Sequence, residues 1–209
     1  MISTSTHIIK QEFIALLLST KRHGIERVTR ELESMGFFES PASQETHLSY
    51  DGGLMDHSLN VYHVASSIAS NMRMLCPSLH IPEESVIITS LLHDVCKTTR
   101  YHQKQEFVKE DGTIEQRYVK DFSHFPIGHG EKSVIQLLRW GLELTEDEML
   151  AIRYHMGPWQ LSLTNEEQQQ DYREACTQHP LVAIIHAADT LTAQIIEMGS
   201  NTKGNKPNT

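Results

Sequence analysis

The sequence predicts an all-α fold, a helical bundle with one small β-hairpin inserted into it. Three observations carry this. Apolar residues recur at three- and four-residue steps over most of the chain, prolines and acidic residues mark helix starts, and one short stretch switches to a hairpin pattern around an Asp-Gly pair. The spacing predicts helices over about residues 8–21 and 25–35. Tyr50-Asp51-Gly52-Gly53 then leads into a long helix carrying His57, Val61, Val64, Ile68, Met72 and Leu75, which Pro77 ends. Pro82-Glu83-Glu84 puts a proline and two acids in a first turn, where they complement the helix dipole. That helix runs through Val86, Ile87, Leu91 and Leu92 to His93 and Asp94. Between residues 106 and 119, Phe107-Val108, Asp111-Gly112, Ile114 and Tyr118-Val119 read as two strands with Asp-Gly as their turn. Helices resume after Gly130. Thr145 followed by Glu146, Asp147 and Glu148 is a capping signature for a helix reaching His155, and Pro180 opens the last long helix, through Ile185 and Asp189 to Ile196.

A chain of 209 residues with 39% hydrophobic and 22% charged residues suits one soluble core, so a single domain over residues 1–198 is expected. Its site-bearing part spans about residues 52–196. The tail 199–209, rich in Asn, Thr, Lys, Gly and Pro, reads as disordered. A formal net charge of −9 argues against a large nucleic-acid-coating surface. Cys76, Cys96 and Cys176 are widely spaced and odd in number, which suits reduced thiols and a cytoplasmic location. The apolar run from Phe13 to Leu18 is too short to span a membrane and reads as the buried stripe of a first helix, so no membrane partner is expected.

Chemistry enters through histidine, of which there are 13. His57 shares a stripe with Val61, Val64 and Ile68, so it faces inward. Asp189 shares a face with Val182, Ile185 and Ile196, and His93-Asp94 follows the run Val86-Ile87-Ile88 and Leu91-Leu92. Burying an unpaired carboxylate is costly, so such an Asp needs a partner, a proton or a metal. Imidazole and carboxylate suit zinc, iron or manganese, and the alternative is a buried polar network without metal. No G-x-S-x-G or papain-like cysteine motif is present.

Three blocks in order, Gly53-Leu54-Met55-Asp56-His57-Ser58-Leu59, Leu91-Leu92-His93-Asp94-Val95-Cys96-Lys97 and His186-Ala187-Ala188-Asp189, resemble the HD superfamily of metal-dependent phosphohydrolases. Two further blocks, Pro126 to Ser133 and Ala151 to Gly157, resemble the added histidine segments that hold a second ion in such proteins. The resemblance implies helices around the metal, with His57, His93, Asp94 and Asp189 on a first ion and Asp94 bridging. His129 and His155 would complete a second, with His124 a rival for His129 and a mononuclear site the alternative. It implies two divalent ions (iron, manganese, zinc or magnesium) and a metal-activated water attacking a nucleotide or another small phosphoester. Asp94 and Lys97 are the candidate catalytic residues. Lys97, one turn after His93, is also the first candidate for the phosphate, with Lys132 and Arg153 weaker ones. His186 reads as core or support, and Cys96, Trp140 and Trp159 as core. A di-iron oxygenase on the same ligands and a non-catalytic nucleotide-sensing module are the alternatives. A nucleic-acid substrate is disfavoured because no separate nucleic-acid-binding domain is apparent.

Overall fold

The computed structural model of the chain describes residues 4–44, 48–99, 103–109, 111–119, 125–162 and 164–198. The tail 199–209 and His124 lie outside the described residues. Eight helices carry the described fold: α1 (Thr4–Ser19), α2 (Ile25–Ser34), α3 (Gly53–Leu75), α4 (Glu83–Leu92), α5 (His129–Arg139), α6 (Glu146–Arg153), α7 (Glu166–Gln178) and α8 (Pro180–Leu191). Strands β1 (Gln103–Val108) and β2 (Ile114–Val119) form the hairpin, antiparallel with Val108 opposite Ile114 and Gln103 opposite Val119. No helix among the described residues is long and apolar enough to cross a membrane.

Two apolar cores hold the helices together. In the first, the rings of Phe13, Phe37 and Phe38 meet at 5.3–5.5 Å and pack with Leu54, Leu91, Leu92, Leu137 and Ile152. In the second, Val61, Ala65 and Ala69 of α3 meet Val86, Leu181, Val182 and Ile185. Each such large side chain contributes about 1.5–3 kcal/mol on full burial. Helices α3, α4 and α6 place residues in both cores, while the core residues of α5 lie in the first and those of α8 in the second. That arrangement fixes the helices that carry the site relative to one another. Two turns touch backbone to backbone as well. Gly24 (φ 87°) lies so close to Gly141 that a Cβ would stand 2.1 Å from its carbonyl oxygen, so only glycine fits there.

The capping signature at Thr145 is realised: its side chain accepts from the Glu148 N–H, and the Glu148 carboxylate accepts from the Thr145 N–H. The buried Glu148 carboxylate also takes both arms of the Arg22 guanidinium at 2.7 Å and the Ser85 hydroxyl at 2.7 Å. This ties the start of α6 to α4 and to the α1–α2 turn.

Several expectations need correcting. His93 and Asp94 are not in the body of a helix: α4 ends at Leu92, His93 caps it, Asp94 sits in a turn, and a 3₁₀ stretch (Val95–Thr99) follows. Helix α7 was not expected, because its sequence is nearly all polar and only Ala175 is buried. The last helix does not stay α: residues Thr192–Glu197 form a π-helical turn. As a result Ile196, expected inward, is exposed, and Glu197 is buried in its place. Trp140 is core as expected, but Trp159 stands 81% exposed on the Gly157–Gln160 turn. The hairpin begins three residues earlier than the alternation suggested.

Candidate metal centre

His93 and His155 are oriented by their own helix ends. Nδ1 of His93 is 2.8 Å from the carbonyl oxygen of Ser90, and Nδ1 of His155 is 2.7 Å from that of Ile152. Such carbonyls at a helix C-terminus have no partner further along the helix. A carbonyl can only accept, so in both rings Nδ1 carries a hydrogen toward the backbone and Nε2 is the nitrogen turned inward. Both Nε2 atoms are buried and have no hydrogen-bond partner among the described residues. A buried nitrogen without a partner is costly, and two of them aimed at one carboxylate suit a cation.

That carboxylate is Asp94. Its Oδ2 lies 3.3 Å from His93 Nε2, 3.7 Å from His57 Nε2 and 2.5 Å from the Lys97 ammonium. Its Oδ1 faces His155 Nε2 at 3.5 Å and contacts His129 Nε2. The two oxygens thus look toward two different sets of imidazoles. Burial works to raise the Asp94 carboxyl, but the Lys97 ammonium, His93 and the hydrogen bond with His129 outweigh it and hold it well below the usual carboxylate range.

His57, on the first turns of α3, meets Asp189 through Nε2 at 3.2 Å and Glu197 through Nδ1 at 3.0 Å. Burial works to lower this imidazole, yet the hydrogen bonds it donates to those carboxylates hold it up at about 9. Asp189 shows the reverse: burial works to raise it, and the hydrogen bond from His57 with the charge of His93 lowers it below the usual range. In the metal-free protein His57 is therefore a cation between two carboxylates, and an ion taking Nε2 must displace that proton.

His129 opens α5. Burial pulls it down to about 4, against the pull of Asp94, so its ring is neutral. Its Nδ1 lies 3.0 Å from the Cys96 sulfur, and burial pushes that thiol up to about 11. The ring reaches Asp94 because α5 and α6 touch at Gly130, where a Cβ would stand 2.2 Å from the Arg153 carbonyl oxygen. Any larger residue there would separate His129 from His155.

The fold thus brings together all six sequence-derived ligand candidates. Their ligand atoms fall into three overlapping groups, each within 4.8 Å: His57, His93 and Asp94; His93, His155 and Asp189; and Asp94, His129 and His155. This donor set of imidazoles and shared carboxylates fits a divalent ion. Lys97 sits against Asp94. Arg153 instead pairs with Glu131 at 2.7 Å and lies over the Tyr154 ring. Lys132 lines a cleft of about 500 Å³ with Arg27, Arg139 and Trp140. His186 donates through Nδ1 to the His155 carbonyl oxygen, 2.8 Å away, and supports that segment. Glu197 and the Cys96–His129 contact were missed by the sequence reading. α-Helical periodicity turns Glu197 outward, and a lone cysteine in an apolar run gives no sign of the ring it touches.

The hairpin docks beside this region. Lys104 at 2.9 Å and the Tyr118 hydroxyl both bond Asp51, just before α3, and a cleft of about 680 Å³ opens there between Gln44, Tyr50 and Gln116.

A family profile described as HD domain matches residues 54–194. A dihydroneopterin 2′,3′-cyclic phosphate phosphodiesterase of Methanocaldococcus jannaschii is 29% identical over 93 residues, which is 44% of this chain and 35% of the relative. The aligned segment is thus about a third of that relative's length. No solved structure gives a significant match.

Proposed function

The chain belongs to the HD domain family, and we propose that it is a metal-dependent phosphohydrolase acting on a nucleotide or another small phosphoester. The observation that carries this reading is the pair of buried Nε2 atoms of His93 and His155, without a hydrogen-bond partner among the described residues, facing a carboxylate shared with His57 and His129. The similarity to a cyclic-phosphate phosphodiesterase favours a phosphodiester of a small metabolite within that class.

In this proposal His57, His93, Asp94 and Asp189 hold one ion, and His129 and His155 hold a second with Asp94 between them. When bound, such ions polarise a phosphoryl oxygen and lower the pKa of a water toward neutrality. The protein's own part is orientation and charge. Carbonyl oxygens of Ser90 and Ile152 lock two rings with Nε2 inward. The Lys97 ammonium holds one Asp94 oxygen and adds positive charge where a phosphate would arrive, which favours charge developing in the transition state. His57, His93, Asp94 and His155 are all buried, so these charges act in a medium poor in water.

The test is a panel of phosphomonoesters, cyclic phosphodiesters and nucleotides, assayed after chelation and reloading with manganese, iron, zinc or magnesium. Turnover of at least one phosphoester that chelation removes and reloading restores is the expected result. Asp94→Ala should lose bound metal and lower turnover by about a thousandfold or more, the equivalent of several kcal/mol. A panel without turnover, or an Asp94→Ala protein that keeps metal and rate, would refute the proposal.

A further inference from the structure

The geometry points to Glu197 as a positioning residue that aims His57 at the metal centre and makes the His57 end its tighter half. The inference rests on the metal-site reading above. Glu197 is 1% exposed, and both its carboxylate oxygens lie on His57 Nδ1, at 3.0 and 3.1 Å. Asn60, one turn further along α3, donates to the same carboxylate at 3.3 Å. A carboxylate accepting at Nδ1 fixes the hydrogen there, leaves Nε2 for the ion and makes the ring a stronger donor. His93 and His155 have only a neutral carbonyl in that role, and His129 has a thiol sulfur. His57 is therefore the imidazole with an anion behind it.

The backbone makes a special provision for this contact. Asp189 and Glu197 bind opposite nitrogens of one ring, yet eight residues of uninterrupted α-helix would turn Glu197 about 80° away from Asp189. The π turn at Thr192–Glu197 holds more residues per turn and brings Glu197 back to the inward face, while Ile196 is turned out to 45% exposure. Exchanging a buried isoleucine for a buried carboxylate costs stability unless the carboxylate is paired, and here its partner is a ring of the site. Single π turns inside α-helices are frequent at functional sites.

The experiment titrates manganese into the chelated full chain, following free ion by electron paramagnetic resonance, for wild type, E197Q and E197A. The tighter affinity should fall about tenfold in E197Q, which keeps an acceptor but no charge, and toward about a hundredfold in E197A. The weaker affinity should change less than the tighter one. Both variants binding within twofold of wild type would overturn the role of Glu197 and leave the metal site standing. A wild type that takes up no ion would overturn both. Imidazole nitrogen NMR of the zinc-loaded wild type decides the matter without a variant. His57 should carry its hydrogen on Nδ1 and bind through Nε2, and a bare or metal-bound Nδ1 would overturn the inference even if E197A fails to fold.

Discussion

His93 and His155 are anchored locally, each to a carbonyl three residues back, whereas His57 and His129 are anchored by side chains 140 and 33 positions away. The contrast separates two ways of aiming a ring. A locally anchored imidazole moves only with its helix, because no side chain can be removed to release it. A remotely anchored one keeps its helix and loses its aim when a single distant side chain changes. The centre is thus sensitive to helix seating at one pair of residues and to point chemistry at the other.

Breaking the seating should have the largest effect. Arg22→Ala leaves the buried Glu148 carboxylate without its guanidinium, and removing one partner of such a pair costs about 3–5 kcal/mol. Denaturant unfolding should register that loss. Metal titration should show a weakened His155 although the residue itself is untouched, and unchanged stability would contradict the seating argument. Next comes metal removal. At a free ion concentration a hundred times the Kd, bound metal adds about 2.7 kcal/mol, so chelation should lower the Tm, and reloading should restore it. Gly130→Ala drives a methyl group into the Arg153 carbonyl and should cost about 1–3 kcal/mol while parting His129 from His155. Thermal unfolding with metal titration would read both effects, and a neutral result would show that α5 can shift freely. Smallest of all, Cys96→Ala should cost about 1 kcal/mol and weaken metal binding only at the His129 half, with Cys96→Ser closer to wild type. An equal loss at both halves would erase the distinction between local and remote anchoring.

The same division governs what the sequence makes legible. His57, His93, Asp94 and Asp189 could be named because inward-facing His and Asp interrupt apolar stripes, His129 and His155 only because their blocks resemble known histidine segments. The capping box at Thr145 could be read because its two partners lie three residues apart. Helix α7 escaped because a polar surface helix leaves little apolar period to detect. The helix break at His93 escaped because Leu91, Leu92 and Val95 continue an apolar run across it. Glu197 escaped for a deeper reason: a π turn changes the period itself, so counting in steps of three and four assigns the wrong residue to the interior. Arg153 looked available for substrate on charge alone, but Glu131 occupies it.

The place of α8 in the chain has a consequence for how the protein is made. Asp189 and Glu197 are translated after all four imidazoles, with Glu197 140 positions after His57. At about 5–20 residues per second, several seconds or more separate the emergence of the first ring from that of the carboxylate behind it. No nascent chain short of α8 presents the full donor set, and none has Leu181, Val182 and Ile185 to pack with Val61, Ala65 and Val86. The step that finishes the hydrophobic interior is therefore also the step that finishes the metal cage, so a ribosome that stalls early releases neither.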